Sequence, residues 1–151
     1  SIEKAIRHPT LIMDSKFASV TGALMDPAVG SDEPIVVADV GNGHTLAASI
    51  LEGRIHGVME HHTRMLSPAK LEDFIIRLCL GKLTHSEIHG DGGHGAYTVD
   101  AVGEPAMVVA TGPQRGILDG INLDVHHAAP AGDVMMTGPV GLIRSVEYRV
   151  S

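Results

Sequence analysis

Three residues in one short stretch have the types and spacing to hold a phosphate. Asp39, Gly41 and Thr45 fit D-x-G-x-x-x-[ST] within "ADVGNGHT" at 38–45, directly behind the apolar run Ile35, Val36 and Val37. A tight glycine turn leaves backbone N–H groups pointing outward, a concave donor set suited to phosphate oxygens. A carboxylate at the strand end holds Mg2+ through water, because Mg2+ keeps several waters of its own. On this reading Asp39, His44 and Glu60 form the catalytic set, and Gly41, Asn42, Gly43 and Thr45 grip the phosphate of a nucleotide with Mg2+. An ordinary Asn-Gly hairpin without a ligand is the alternative reading of the same residues.

A second constellation combines "EHHT" at 60–63 with "HGDGGHG" at 89–95. Along a strand, Glu60 and His62 alternate onto one side and His61 onto the other. Neighbouring histidines of one strand therefore do not readily share an ion. The candidate ligands are Glu60 or His62 together with His44, Asp91 and His94, with Asp39 as a further carboxylate. Imidazole and carboxylate suit Zn2+, Mn2+ or Fe2+. Magnesium on a bound nucleotide would use Asp39 and water instead, so the two hypotheses separate. The alternative is a set of polar residues bonded to one another at a strand end.

Two T-G-P turns follow, Thr111-Gly112-Pro113 and Thr137-Gly138-Pro139. Both are expected at the ends of apolar strands, where Gly112 and Gly138 would border a nucleoside. Turns in which proline simply sets φ are the alternative. Asp14 reads as a helix cap or an extra carboxylate, and His126 and His127 as exposed or packed residues. His8, His56 and His85 show no partner pattern. Cys79 reads as a buried, inert thiol, and Met59, Met135 and Met136 as core filler.

Several function classes are excluded by composition. The net charge is −7, with 18 acidic against 11 basic residues and no basic run, so phosphate neutralisation along nucleic acid is not expected. Four aromatic residues (Phe17, Phe74, Tyr97, Tyr148) make no base-stacking platform. No apolar run reaches membrane-spanning length and no signal-peptide pattern opens the chain, so no membrane partner and a cytoplasmic location are expected. One cysteine excludes an intrachain disulfide and an iron–sulfur cluster held by several thiolates of this chain. At 151 residues and 44% hydrophobic content the chain suits one well-buried domain.

The elements that must position these residues follow from periodicity. A helix is expected over 14–25, ended before Pro27, in a linker or helical segment at 1–30. A polar break at 30–34 leads into a single domain over 31–151. "PIVVADV", "HTLAASIL" and "IHGVMEHHT" read as three strands joined by tight turns at "GNG" and "EGR", hence an antiparallel meander. "SPAKLEDFIIRLCLG" is the clearest helix: Ser67 caps it, Pro68 suits its first turn, Gly81 ends it, and Leu71, Phe74, Ile75 and Leu78 form its buried stripe. "HGDGGHGAY" at 89–97 reads as a loop, and "AMVVATGP" and "DVMMTGPVG" as two parallel strands. The order β-β-β-α-β-(short helix)-β-α is an α/β arrangement of ribonuclease-H-like type, with helices on both faces.

The D-x-G-x-x-x-[ST] hairpin resembles that of the superfamily of sugar kinases, heat-shock ATPases and actin. With "EHHT", "DGGHGA" and "AAPAGDVMMTGPVGLIRSV", the chain from about residue 10 to about 148 also resembles an uncharacterised family labelled pyruvate formate-lyase activating enzyme. The resemblance implies an actin-like ATPase fold, ATP or ADP with Mg2+ as the ligand, and the carboxy-terminal half of longer members. Such enzymes close two lobes over a nucleotide, so a missing amino-terminal lobe is expected, in keeping with a first residue that is not Met. The label implies cleavage of S-adenosylmethionine at a cluster held by three cysteines, which a chain with Cys79 alone does not supply.

Three readings follow. The first is the nucleotide-binding lobe of an ATPase or phosphotransferase. The second is a metal-dependent hydrolase or metal-binding module using His44, Glu60, His62, Asp91 and His94. The third is a non-catalytic regulatory domain of the same fold. A small molecule or nucleotide is the expected ligand, and a second copy of the chain is a candidate partner.

Overall fold

The computed structural model describes residues 10–30 and 32–150. In chain order the elements are α1 (Ser15–Ala23), β1 (Ile35–Val40), β2 (His44–Leu51), β3 (Arg54–His62), α2 (Pro68–Cys79), α3 (His85–Gly90), β4 (Gly95–Thr98), β5 (Met107–Thr111), β6 (Val125–His127) and α4 (Thr137–Val150). Short 3-10 turns occupy Thr63–Met65, Arg115–Gly120 and Val134–Met136. The six strands form one mixed sheet in the order β4-β3-β2-β1-β5-β6. β1, β2, β3 and β4 pair antiparallel in succession, whereas β5 runs parallel to β1 and β6 parallel to β5. The expected meander continuing into parallel strands is therefore present.

Alternation along the strands sorts the core into two layers. Val36, Ala38 and Val40 of β1 face the cluster made by Leu71, Phe74, Ile75 and Leu78 of α2 with Ile88 of α3. Ile35 and Val37 face the opposite way, toward Val20 and Ala23 of α1. Asp39 shares that second parity, which points it at α1. Ser67 caps α2 by accepting from the Lys70 amide, and Pro68 occupies its first turn, so the local signals act as read. Asp14 likewise caps α1, accepting from the amides of Lys16 and Phe17. Thus α1, within the segment read as linker or helix, covers one face of the sheet.

Three expectations change. Residues 133–141 are not a strand: Asp133 caps a 3-10 turn by accepting from the Met135 amide, and α4 begins at Thr137. Pro139 is compatible with this because the first helical turn has no use for its missing N–H. The final strand is instead β6, containing His126 and His127. Met135 and Met136 are consequently exposed, while Met59 is core. Residues 89–97 are not one loop: Thr84 caps α3, and the chain re-enters the sheet at Gly95.

The turns also exchange roles. Asn42–Gly43 connects β1 to β2, yet neither residue has positive φ; Glu52 (φ 52°) and Gly53 (φ 70°) do, between β2 and β3. The mirror-image turn favoured in two-residue hairpins thus forms at "EG" and not at "NG". Among the described residues no helix is long and apolar enough to cross a membrane.

Candidate functional site

β1 and β5 end side by side, with Asp39 opposite Thr111. Beyond their carboxyl ends lies a cavity of about 340 Å3, lined by Lys16 and Ser19 of α1, Asp39, His44, Gly112 and the first turn of α4. Burial pushes the Asp39 carboxyl above its ordinary pKa, and Lys16 and a hydrogen bond from Ser19 oppose that shift. Gly112 has φ +89°, and a Cβ there would lie 2.5 Å from Asp39 Oδ1. The cavity therefore combines one carboxylate, one ammonium and two helix amino termini, Ser15 of α1 and Thr137 of α4. Asp14 takes the Lys16 and Phe17 amides of α1, the Val134 carbonyl takes the Thr137 amide, and Pro139 has no N–H, so the two termini bring chiefly the partial positive charge of their helix dipoles, which favours anions.

The hairpin contributes less to this cavity than its motif suggests. The Gly41 N–H donates to the His44 carbonyl at 3.0 Å, so it closes the turn instead of facing outward. Thr45 has the opposite parity to Asp39 and is fully buried. Its hydroxyl meets Thr63 Oγ1 at 3.0 Å, and the Thr63 hydroxyl donates to the Gly41 carbonyl at 2.7 Å. Asn42 Oδ1 accepts from Gln114 Nε2 at 2.8 Å and lines a separate cavity with Arg64. Gly43 accepts from the Thr63 amide through its carbonyl. Of the expected nucleotide residues, Gly41, Gly112 and Gly138 reach the Asp39 cavity, and Asn42, Gly43 and Thr45 do not line it. Gly138 is there as part of a helix start, not of a strand-end turn.

On the same sheet face, cross-strand pairing brings imidazoles together. His44 and His62 are direct partners of β2 and β3. Their ring centroids lie 4.7 Å apart, and His94 sits 4.7 Å from His44 and 5.0 Å from His62. One ligand atom from each of the three lies within 4.8 Å of the others. Glu60 Oε2 is 3.7 Å from His94 Nδ1, and Glu60 Oε1 is 2.8 Å from Lys16 Nζ. Partial burial, then the neighbouring His44 and His94, hold the His62 imidazole below its ordinary pKa.

Asp91 is not part of this group. His61 has the opposite parity, is fully buried against Phe74, and its Nε2 lies 3.0 Å from Asp91 Oδ2. Lys70 Nζ donates to the same carboxylate at 2.8 Å, and this contact is the main reason its pKa falls. Asp91 is thus an ion-paired anchor on the α2 face. The remaining histidines pair elsewhere: His126 with Asp26, His127 with Asp119, His56 near Asp100, and His85 stacked on His89. His8 lies outside the described residues. Cys79 is fully buried, and burial pushes its thiol up to about 12.

Lys16 and Ser19 were not legible as site residues. The available signal is a polar edge, Ser15, Lys16 and Ser19, on a short helix otherwise made of small and apolar residues. Only the placement of α1 over β1 gives that edge a meaning.

A family model described as "Putative pyruvate format-lyase activating enzyme" matches residues 1–117, and the chain belongs to that family. No curated protein matches it. Among solved structures, glycerol dehydratase reactivase is similar at 11% sequence identity with a TM-score of 0.45, covering 92% of this chain and 36% of that one. The chain therefore spans little more than a third of that protein's length.

Proposed function

We propose that this chain is the nucleotide- or phosphate-binding lobe of an ATPase or phosphotransferase of actin-like, ribonuclease-H-like type. The observation that carries the reading is the cavity beyond β1 and β5, where Asp39, Lys16, Gly112 and the start of α4 meet. In open α/β sheets ligands collect outside the carboxyl ends of the strands, and this cavity occupies that place. The strand order, an antiparallel β3-β2-β1 continued by parallel β5 and β6, supports the fold type.

The donor set fits a hydrated magnesium ion with a phosphate. A hard cation that retains its waters needs few protein oxygens, and the Asp39 carboxylate supplies one ligand or a water-mediated contact. Bound Mg2+ supplies neutralisation of phosphate charge. The Lys16 ammonium offers N–H donors, and the start of α4 positive potential, to phosphate oxygens. Gly112, lacking a Cβ, leaves room for the Asp39 carboxylate at the wall of the cavity. With the Gly41 amide engaged inside the hairpin, the anion seat assigned here is the Lys16 ammonium beside the start of α4, and the hairpin's part is to carry Asp39 and His44.

The family's label does not fit this chain's own residues. Activation of a glycyl radical enzyme requires a cluster on three cysteines, and this chain offers one, buried thiol. Calorimetry with MgATP, MgADP and inorganic phosphate tests the reading. Saturable heat from at least one of them, lost in Asp39→Asn, is expected. No heat from any of them at millimolar concentration, from protein with a cooperative thermal transition, overturns it.

A further inference from the structure

We propose that His44, His62 and His94 form a seat for one transition-metal ion of the zinc class, with a coordination position left open for water or an anionic oxygen. This inference stands independently of the nucleotide reading. The three ligands come from three segments: the first residue of β2, the last of β3 and the residue before β4. Each is held by backbone. His44 and His62 face one another in register, and the His94 N–H donates to the Glu60 carbonyl at 2.9 Å.

Geometry and chemistry agree on the ligand. Nitrogens bound to one tetrahedral zinc at about 2.0–2.1 Å lie roughly 3.3 Å apart. The candidate atoms here already lie within 4.8 Å of one another on half-buried or exposed side chains, so ring rotation closes the gap. Metal-bound histidines commonly turn their second nitrogen to a carboxylate, which fixes the ring. Glu60 Oε2 lies 3.7 Å from His94 Nδ1, one small side-chain adjustment from that relation, and Lys16 holds Glu60 in turn. That leaves His94 Nε2 for the ion.

Three nitrogen ligands select Zn2+, Co2+, Ni2+ or Cu2+ over Mg2+, which prefers oxygen. They are also neutral, so the ion keeps its double charge, and the fourth position attracts water, hydroxide or an anionic ligand. His44 also lines the Asp39 cavity, which sets the ion at the rim of an anion-favouring cleft. Asp91, expected among the ligands, is excluded by its place on the other sheet face.

The test uses untagged protein stripped with a chelator and titrated with Co2+ alone, followed by visible ligand-field absorption. One equivalent is expected to bind, to be displaced by Zn2+, and to raise the melting temperature. His62→Gln and His94→Gln are each expected to weaken binding by roughly tenfold or more. His89→Gln, on the separate His85–His89 pair of α3, leaves it unchanged. Asp39→Asn also leaves it unchanged, which separates this site from the nucleotide reading. Absence of a saturable spectrum from folded protein, equal binding by His62→Gln and His94→Gln, or loss of binding in Asp39→Asn overturns the proposal.

Discussion

Asp39 Oδ1 occupies the space that a side chain on Gly112 would need. A Cβ at Gly112 would lie 2.5 Å from that oxygen and 2.5 Å from the Val40 carbonyl oxygen, on a backbone with φ +89°. The ends of β1 and β5 are thus interlocked, and the carboxylate is confined to the cleft. Gly112→Ala is expected to lower stability on the order of 1–3 kcal/mol, from positive φ and displacement of Asp39 together. Urea denaturation should show a lower midpoint with an unchanged slope, and phosphate or nucleotide affinity should fall with it.

Asp39→Asn separates stability from function. Burial raises the folded-state pKa of Asp39, so the folded chain holds that proton more tightly than the unfolded chain does. Stability from this group is therefore lost as pH rises from the ordinary value of 3.8 through the raised one. A neutral amide avoids that loss. Asp39→Asn is expected to melt no lower than the wild type at pH 7 while losing MgADP binding. A clear drop in melting temperature would place Asp39 among structural residues.

Asp26 titrates in the opposite sense. Its carboxylate accepts from the amides of Ala28 at 2.9 Å and Ala129 at 2.7 Å, and its Oδ2 lies 3.0 Å from His126 Nε2. The Ala129 bond is the main cause of its lowered pKa. That stability is present above the ordinary carboxylate value of 3.8 and disappears as pH falls through the folded-state value. Asp26→Asn should cost about 1–3 kcal/mol at pH 7. In denaturation curves taken at successively lower pH, the difference from wild type should shrink once the carboxylate protonates.

Gly22 of α1 and Gly141 of α4 set the spacing of two helices that border the cleft. A Cβ on Gly141 would lie 1.9 Å from the Ala18 carbonyl oxygen, and one on Gly22 would lie 1.7 Å from that of Thr137. Backbone cannot yield there as a flexible side chain could. Gly141→Ala should therefore push α1 from α4, destabilise by about 1–3 kcal/mol, and separate Lys16 from the start of α4. Thermal denaturation checks the first effect and phosphate titration the second.

What the sequence determined by itself is whatever depends on neighbours along the chain. Val36, Ala38 and Val40 alternate with Ile35 and Val37 because a strand has a period of two, and Ser67 and Pro68 start α2 because an exposed helix end needs a cap. His61 and His62 are separable for the same reason. The segment 133–141 misled because an apolar run with T-G-P is locally compatible with a strand end or a helix start. Its helix is settled by backbone contact with Gly22, a residue far away in sequence. The site has the same character. Asp39 meets Gly112 and Lys16, and His44 meets His62 and His94, only once the sheet is assembled. The tertiary structure decided those encounters because ligand chemistry depends on distances through space, and residue spacing limits these only within one element.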